Sequence, residues 1–304
     1  MSAIPDTPPS PVRKALTLFL KIAVTLLCFW YMSTKIDFQH TFHALLKANW
    51  WLLAGAVLLY TLSKVVSSFR LNIYLRNINL RLPEWENLKL YWLGMFYNLF
   101  LPGSIGGDAY KVILLNRKRQ APLKKTSSAV LLDRFSGLLG LGAILAIYGV
   151  IVLDNALVDT FLIAGSLLAV GAFYGGIRFF FKDFLPGFFP TLFWGLVVQG
   201  IQVGCVYLIL ASLGLPLQPQ WLFIFLLASV VAVFPVSMGG GLGTRELVFA
   251  EGAKYFHLAP ELGVTISLLF FLCNLLSCVW GAWFVFNDPL KTTQPVTVVT
   301  SEEA

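Results

Sequence analysis

Six stretches of this sequence, roughly 15–33, 50–69, 127–153, 157–177, 189–213 and 258–286, are apolar with scarcely a charge. A hydrocarbon core about 30 Å thick is crossed by about 20 such residues at about 1.5 Å each, so each run is long enough to span a bilayer. Inside lipid every backbone N–H and C=O must be satisfied by the protein, which leaves helices or a closed barrel. The runs are continuously apolar and lack the alternation of barrel strands, so they predict helices. Composition agrees: 58% of the 304 residues are hydrophobic, 12% are charged and the mean hydropathy is +0.78. The sequence predicts an all-α polytopic membrane protein. The stretch before the first run is short and proline-rich, and that run has no convincing cleavage site. It is therefore expected to be a retained helix, not a signal peptide. Residues 1–14 and 287–304 are expected to be flexible, with no soluble domain at either end.

Two further apolar segments, roughly 87–101 and 219–235, end at breaks: "LPGSIGGDAYK" (101–111) and "FPVSMGGGLGTRE" (234–246). Aligned on proline, both read Pro-x-Ser-x-Gly-Gly, through Pro102, Ser104, Gly106 and Gly107 and through Pro235, Ser237, Gly239 and Gly240. The offset of 133 residues carries segment 127–153 onto 260–286, and the segments near 24 and 60 have looser counterparts near 167 and 201. This pattern predicts two membrane repeats, 15–153 and 157–286. Each is a pair of helices, a broken hairpin and a closing helix. With a cytoplasmic N-terminus and both breaks re-entrant, 15 Lys and Arg fall in cytoplasmic stretches and 3 on the opposite side. That is the bias of the positive-inside rule, and it places both termini in the cytoplasm. The repeats are then inverted, with about six full transmembrane helices and two re-entrant hairpins. Secondary transporters use such broken helices to hold polar substrates near the midplane. A helix kink kept for packing is the alternative. The net charge of +7 follows from the basic face and needs no nucleic-acid partner.

Charges in or beside apolar segments are costly unless they face protein or water. Asp108 and Lys111 follow the first break, Arg245 and Glu246 the second, and Asp133 and Arg134 begin the helix between the repeats' hairpins. Asp108 and Lys111 share a helix face. The adjacent pairs Asp133–Arg134 and Arg245–Glu246 diverge by about 100° and must find partners elsewhere, for instance Asp133 with Arg245 or Glu246 with Arg134. Lys111, Arg134 and Arg245 are candidates for holding a phosphate, beside the glycine-rich backbone. The alternative is a set of salt bridges that clamps the repeats. Lys21, Lys64 and Arg70 are expected to snorkel to the cytoplasmic interface. Residues 116–125 are expected to serve topology and anionic-lipid contact. Gly137, Gly140 and Gly142 are expected to pack helices closely. Trp50, Trp51, Trp85 and Trp221 are read as interface anchors. Cys28, Cys205, Cys273 and Cys278 are read as small apolar residues. His40, His43 and His257 suggest no metal site, and no cofactor or hydrolase motif occurs.

"NLFLPGSIGGDAYK" (98–111), "LLDRFSGLLGL" (131–141) and "FPVSMGGGLGTRE" together resemble the flippase-like transmembrane family. That family includes the membrane region of lysylphosphatidylglycerol synthases and relatives of an archaeal dolichol-phosphate-linked glycosyltransferase. Asn98, Pro102, Gly106, Gly107, Asp108, Asp133, Arg134, Gly137, Ser237, Gly239, Arg245 and Glu246 match its pattern, whereas Lys111 stands where arginine is commoner. The resemblance implies handling of membrane lipids. No aminoacyl-transferase domain occurs in the sequence, so lipid synthesis does not carry over. The expectation is a non-enzymatic translocase of a phosphate-bearing lipid in the cell membrane. Its substrate would be held by Asn98, Ser104, Gly106, Gly107, Asp108, Lys111, Asp133, Arg134, Ser237, Gly239, Gly240, Arg245 and Glu246. The alternatives are an intramembrane enzyme acting on a lipid phosphate and a non-catalytic partner of a lipid-synthesising enzyme.

Overall fold

The computed structural model describes residue 46 and residues 48–100, 106–233, 241 and 243–290. The segment 15–33, residues 101–105, 234–240 and 242, and both termini lie outside the described residues. No strand occurs among those described. The helices are α1 (Trp50–Asn77), α2 (Glu84–Phe100), α3 (Gly106–Arg119), α4 (Leu123–Leu153) and α5 (Ala156–Phe180). A 3₁₀ turn (Lys182–Gly187) leads into α6 (Phe188–Ser212), followed by α7 (Pro219–Val231), α8 (Thr244–Tyr255) and α9 (Pro260–Phe286). Five spans among the described residues are long and apolar enough to cross a membrane: α1, α4, α5, the 3₁₀ turn with α6, and α9. The chain is an integral membrane protein.

The helix ends follow local chemistry. Asn49 caps α1, its side chain accepting from Trp51 N at 3.1 Å, and Asn155 caps α5 through the N–H groups of Leu157 and Val158. Pro219 and Pro260 open α7 and α9, where a missing N–H costs nothing. In α3, Asp108 lies in the first turn and Arg117, Lys118 and Arg119 in the last, each sign favoured by the helix dipole there.

α1 and α6 pack side by side and antiparallel. Asn49 N donates to Ser212 O at 2.8 Å at one end, and Asn77 Nδ2 donates to Phe184 O at 3.3 Å at the other. α4 crosses α6 at two glycines. A methyl added to Gly140 would lie 2.7 Å from the Gly195 carbonyl carbon, and one on Gly195 would lie 2.8 Å from Ser136 O. With lipid outside there is little hydrophobic drive between helices, so such close backbone approach supplies the attraction.

Each break is flanked by a hairpin of two antiparallel helices. In the first, Asn98 meets Gly107, Tyr97 stacks on Tyr110 (4.7 Å) and Glu86 pairs with Arg119 at 2.6 Å, so α2 begins where α3 ends. In the second, Ser229 meets Arg245 and Phe223 packs edge-on against Phe256 (5.9 Å), so α7 begins where α8 ends. The packing is reciprocal: α2 lies against α9, and α7 lies against α4.

Two apolar clusters occupy opposite ends of this assembly. One joins Tyr60, Ile209, Phe225, Phe249 and Phe270, the other Leu71, Tyr74, Leu90, Leu115 and Phe188. Between them three of the long helices carry polar residues near mid-length: Ser63, Lys64, Ser67 and Arg70 on α1, Asp133, Arg134 and Ser136 on α4, Gln199 and Gln202 on α6. Trp221, read from the sequence as an interface anchor, is 2% exposed in the first cluster. It opens α7, and α7 is a hairpin arm covered by α4, α8 and α9. Trp50, Trp51 and Trp85 are exposed.

Candidate functional site

Lys64, Arg70, Asp133 and Arg134 of this layer line a cavity of about 220 Å³. Its described lining comes from α1, α2, α3, α4 and α9, so it forms where the first hairpin meets α1 and α4 of its own half and α9 of the other. Six charged side chains line it: Lys64, Arg70, Lys111 and Arg134 against Asp108 and Asp133.

The first hairpin sets the geometry on one wall. Gly107 is pressed against α2 so closely that a Cβ there would run into the Gly94 carbonyl. That contact brings Gly107 N within 2.8 Å of Asn98 Oδ1, which accepts one of the N–H groups left unpaired at the start of α3. Asp108, one residue on, is buried. It takes Lys111 Nζ at 2.7 Å on one oxygen and Arg134 Nε on the other, with Asn98 Nδ2 3.5 Å away. Lys111 also lies over the Tyr91 ring at 4.5 Å. One carboxylate therefore positions two cations from two helices.

Arg70 and Asp133 form the second pair, Nε to Oδ1 at 2.7 Å, both buried. This corrects two sequence expectations. Arg70 does not snorkel to the interface, because α1 continues to Asn77 and keeps it inside. Nor does Asp133 reach Arg245, or Glu246 reach Arg134. Gly137 leaves room for the Arg70 guanidinium, which a Cβ there would approach to 2.7 Å.

Lys64, also expected at the interface, lines the cavity. Its ammonium lies 4.5 Å from the Tyr60 ring centroid, and no carboxylate among the described residues is within ion-pair distance. Tyr60 OH donates to Asn274 Oδ1 at 2.9 Å, fixing the wall from α9. Tyr60, Tyr91 and Asn274 were not singled out from the sequence. The signal for Asn274 was there, a lone amide in an apolar run, whereas nothing local marks the tyrosines.

From the second hairpin, Arg245 stacks on Phe270 at 4.7 Å and Phe225 at 6.0 Å, and donates to Ser229 Oγ at 3.2 Å. Its Nε is buried without a hydrogen-bond partner, and no carboxylate pairs with it among the described residues. It lies within electrostatic range of Lys64 and Tyr60. Glu246 turns away from it, accepting Gly243 N at 2.6 Å and Ser267 Oγ at 2.9 Å, which caps α8 and ties it to α9. Gly106 opens α3 and is half-buried. Ser104, Ser237, Gly239 and Gly240 lie outside the described residues.

Residues 18–281 match the family described as the lysylphosphatidylglycerol synthase TM region. The chain belongs to that family. Asn98, Asp108, Lys111, Asp133, Arg134 and Arg245 all fall within the matched region. A UPF0104 membrane protein of Pyrococcus horikoshii is 23% identical over 125 residues, which cover 40% of this chain and 36% of that protein. No solved structure matches significantly.

Proposed function

We propose that the chain is a lipid translocase of the cell membrane whose cavity receives the phosphate of a lipid headgroup, and that it moves the lipid without changing it chemically. The observation that carries this reading is the charge of the cavity. Four cations face two carboxylates, and each carboxylate is already engaged by arginine or lysine of the same cavity. Inserting an uncompensated cation at mid-membrane costs about 2.5–3.5 kcal/mol on insertion scales. A pair of surplus positive charges in such a place is best matched by an anion that comes and goes. Lys64, which pairs with no carboxylate among the described residues, is the residue most available to it, with Lys111 and Arg134 held in place by Asp108. Arg245 adds positive potential from the other hairpin. An amine on the headgroup would meet the outer lone pairs of Asp108 and Asp133.

The same reading takes 15–153 and 157–286 as inverted repeats with re-entrant hairpins. The antiparallel course of α1 and α6, their counterparts in the two repeats, supports it, as does the reciprocal packing of α2 on α9 and α7 on α4. Both hairpins return to the level at which they start. Alternating access would then come from the two hairpins opening in turn.

The test is reconstitution in vesicles with headgroup-labelled phosphatidylglycerol. Translocation with the lipid's mass unchanged supports the proposal. A product of altered mass would make the protein an enzyme acting on the lipid, and no effect of either kind would favour a non-catalytic partner subunit.

A further inference from the structure

An apolar groove of about 470 Å³ runs between α3 and α4 and shares two residues, Asp108 and Arg134, with the polar cavity. Its walls are aliphatic and aromatic: Val112 and Ile113 on α3, Val130, Leu131, Phe135 and Leu138 on α4. Its two charged residues are the pair it shares with the cavity, Asp108 and Arg134. Arg134 is the partly open member of that pair, its side chain 35% exposed while Asp108 is 9% exposed. A polar pocket and an apolar groove thus meet at one ion pair, an arrangement that fits a molecule with a charged head and an aliphatic tail.

We infer that the groove holds one acyl chain of the phospholipid whose phosphate occupies the cavity, with the Asp108–Arg134 pair at the junction of head and chain. This rests on the proposed function for the identity of the head. The length of the groove selects the chain. From Leu123 to Leu138 the α4 wall spans 15 residue steps, about 22 Å at about 1.5 Å each. One leaflet of hydrocarbon is about 15 Å deep, half of about 30 Å, so a bilayer acyl chain fits and a polyprenyl chain outruns the groove. Ile113, Leu131 and Phe135 are exposed along it, so a chain can enter sideways from the bilayer while the head passes inward.

The experiment uses the full chain in phosphatidylcholine vesicles containing phosphatidylglycerol with a diazirine at the end of one acyl chain. Photolysis is expected to label peptides carrying Leu123 and Leu131, toward the far end of the groove from Arg134, in excess over the exposed face of α5. Ile113→Trp and Leu131→Trp, which fill the groove, are expected to lower that labelling and phosphatidylglycerol transfer by at least about tenfold, the scale on which apolar pockets discriminate. Leu167→Trp on the exposed face of α5 is the control for an added indole and is expected to change neither. Dihexanoyl phosphatidic acid, too short to fill the groove, reports the cavity separately through its binding to the wild type and to Lys64→Gln. Uniform labelling of all lipid-facing helices, with groove variants that transfer normally, overturns the groove assignment; if the short-chain probe still binds and loses affinity in Lys64→Gln, the cavity reading survives. If the short-chain probe shows no binding to the wild type, both fail.

Discussion

Arg70 is buried and Arg245 half-buried, and their surroundings predict opposite responses to removal. Arg70→Ala would strand the buried Asp133 carboxylate without its arginine, and a loss of about 3–5 kcal/mol is expected. Arg245→Ala strands no carboxylate; it removes two aromatic contacts and one neutral acceptor, a loss of about 0.5–2 kcal/mol. Thermal melting of the two variants in detergent, beside lipid transfer, separates them. Arg245→Ala is expected to stay folded and lose transfer, and Arg245→Lys to lose it in part, because the planar fork goes while the charge stays. If Arg245→Ala melts as early as Arg70→Ala, Arg245 is a clamp. The sequence displayed Asp108 and Lys111 as a same-face pair and flagged every charge in this layer. It could not display Arg70 with Asp133, since the partners are 63 residues apart and Arg70 stands where the apolar run looks finished. Lys64 was misplaced for the same reason: the features that keep it inside come from α2 and α9.

At the scale of elements, α2, α4, α5, α6, α7 and α9 lie within about four residues of the apolar runs, because membrane spans announce themselves by length and hydropathy, whereas α1 continues eight residues past its run to Asn77. What periodicity does not reveal is which elements are covered. Trp221 begins an apolar run as Trp50 does, but α7 is enclosed and α1 is not at that end. The glycines divide likewise. Gly107→Ala would drive a methyl into the Gly94 carbonyl and wedge α2 from α3, an overpacking expected to cost about 1–3 kcal/mol. Gly142→Ala meets nothing within 4 Å, so its effect is expected to stay within about 1 kcal/mol and to favour the helix. Melting temperatures of both variants check this. Equal effects would mean that the hairpin contact is not structural. The Gly-Gly repeat was legible as a break, and the hairpin geometry on either side of it required contacts between residues such as Glu86 and Arg119.

For the whole molecule, the charge asymmetry predicts that residues 117–125 and 178–183 are cytoplasmic and residues 154–159 and 214–220 are not. Single cysteines introduced in these loops of a cysteine-free variant, labelled from each side, test it; exterior labelling near residue 120 would remove the basis for inverted repeats. The central claim is that the cavity's surplus cation serves a passing phosphate and not the fold. Lys64 is the cleanest probe of it, since no carboxylate among the described residues depends on Lys64 for a partner. The deciding measurement is phosphatidylglycerol transfer in vesicles by Lys64→Gln beside its melting temperature. The account predicts transfer lowered at least about tenfold, the loss of one charge-assisted hydrogen bond of about 1.5–3 kcal/mol, with melting unchanged or raised because an unpaired charge has left the interior. Undiminished transfer by a well-folded Lys64→Gln protein would contradict it.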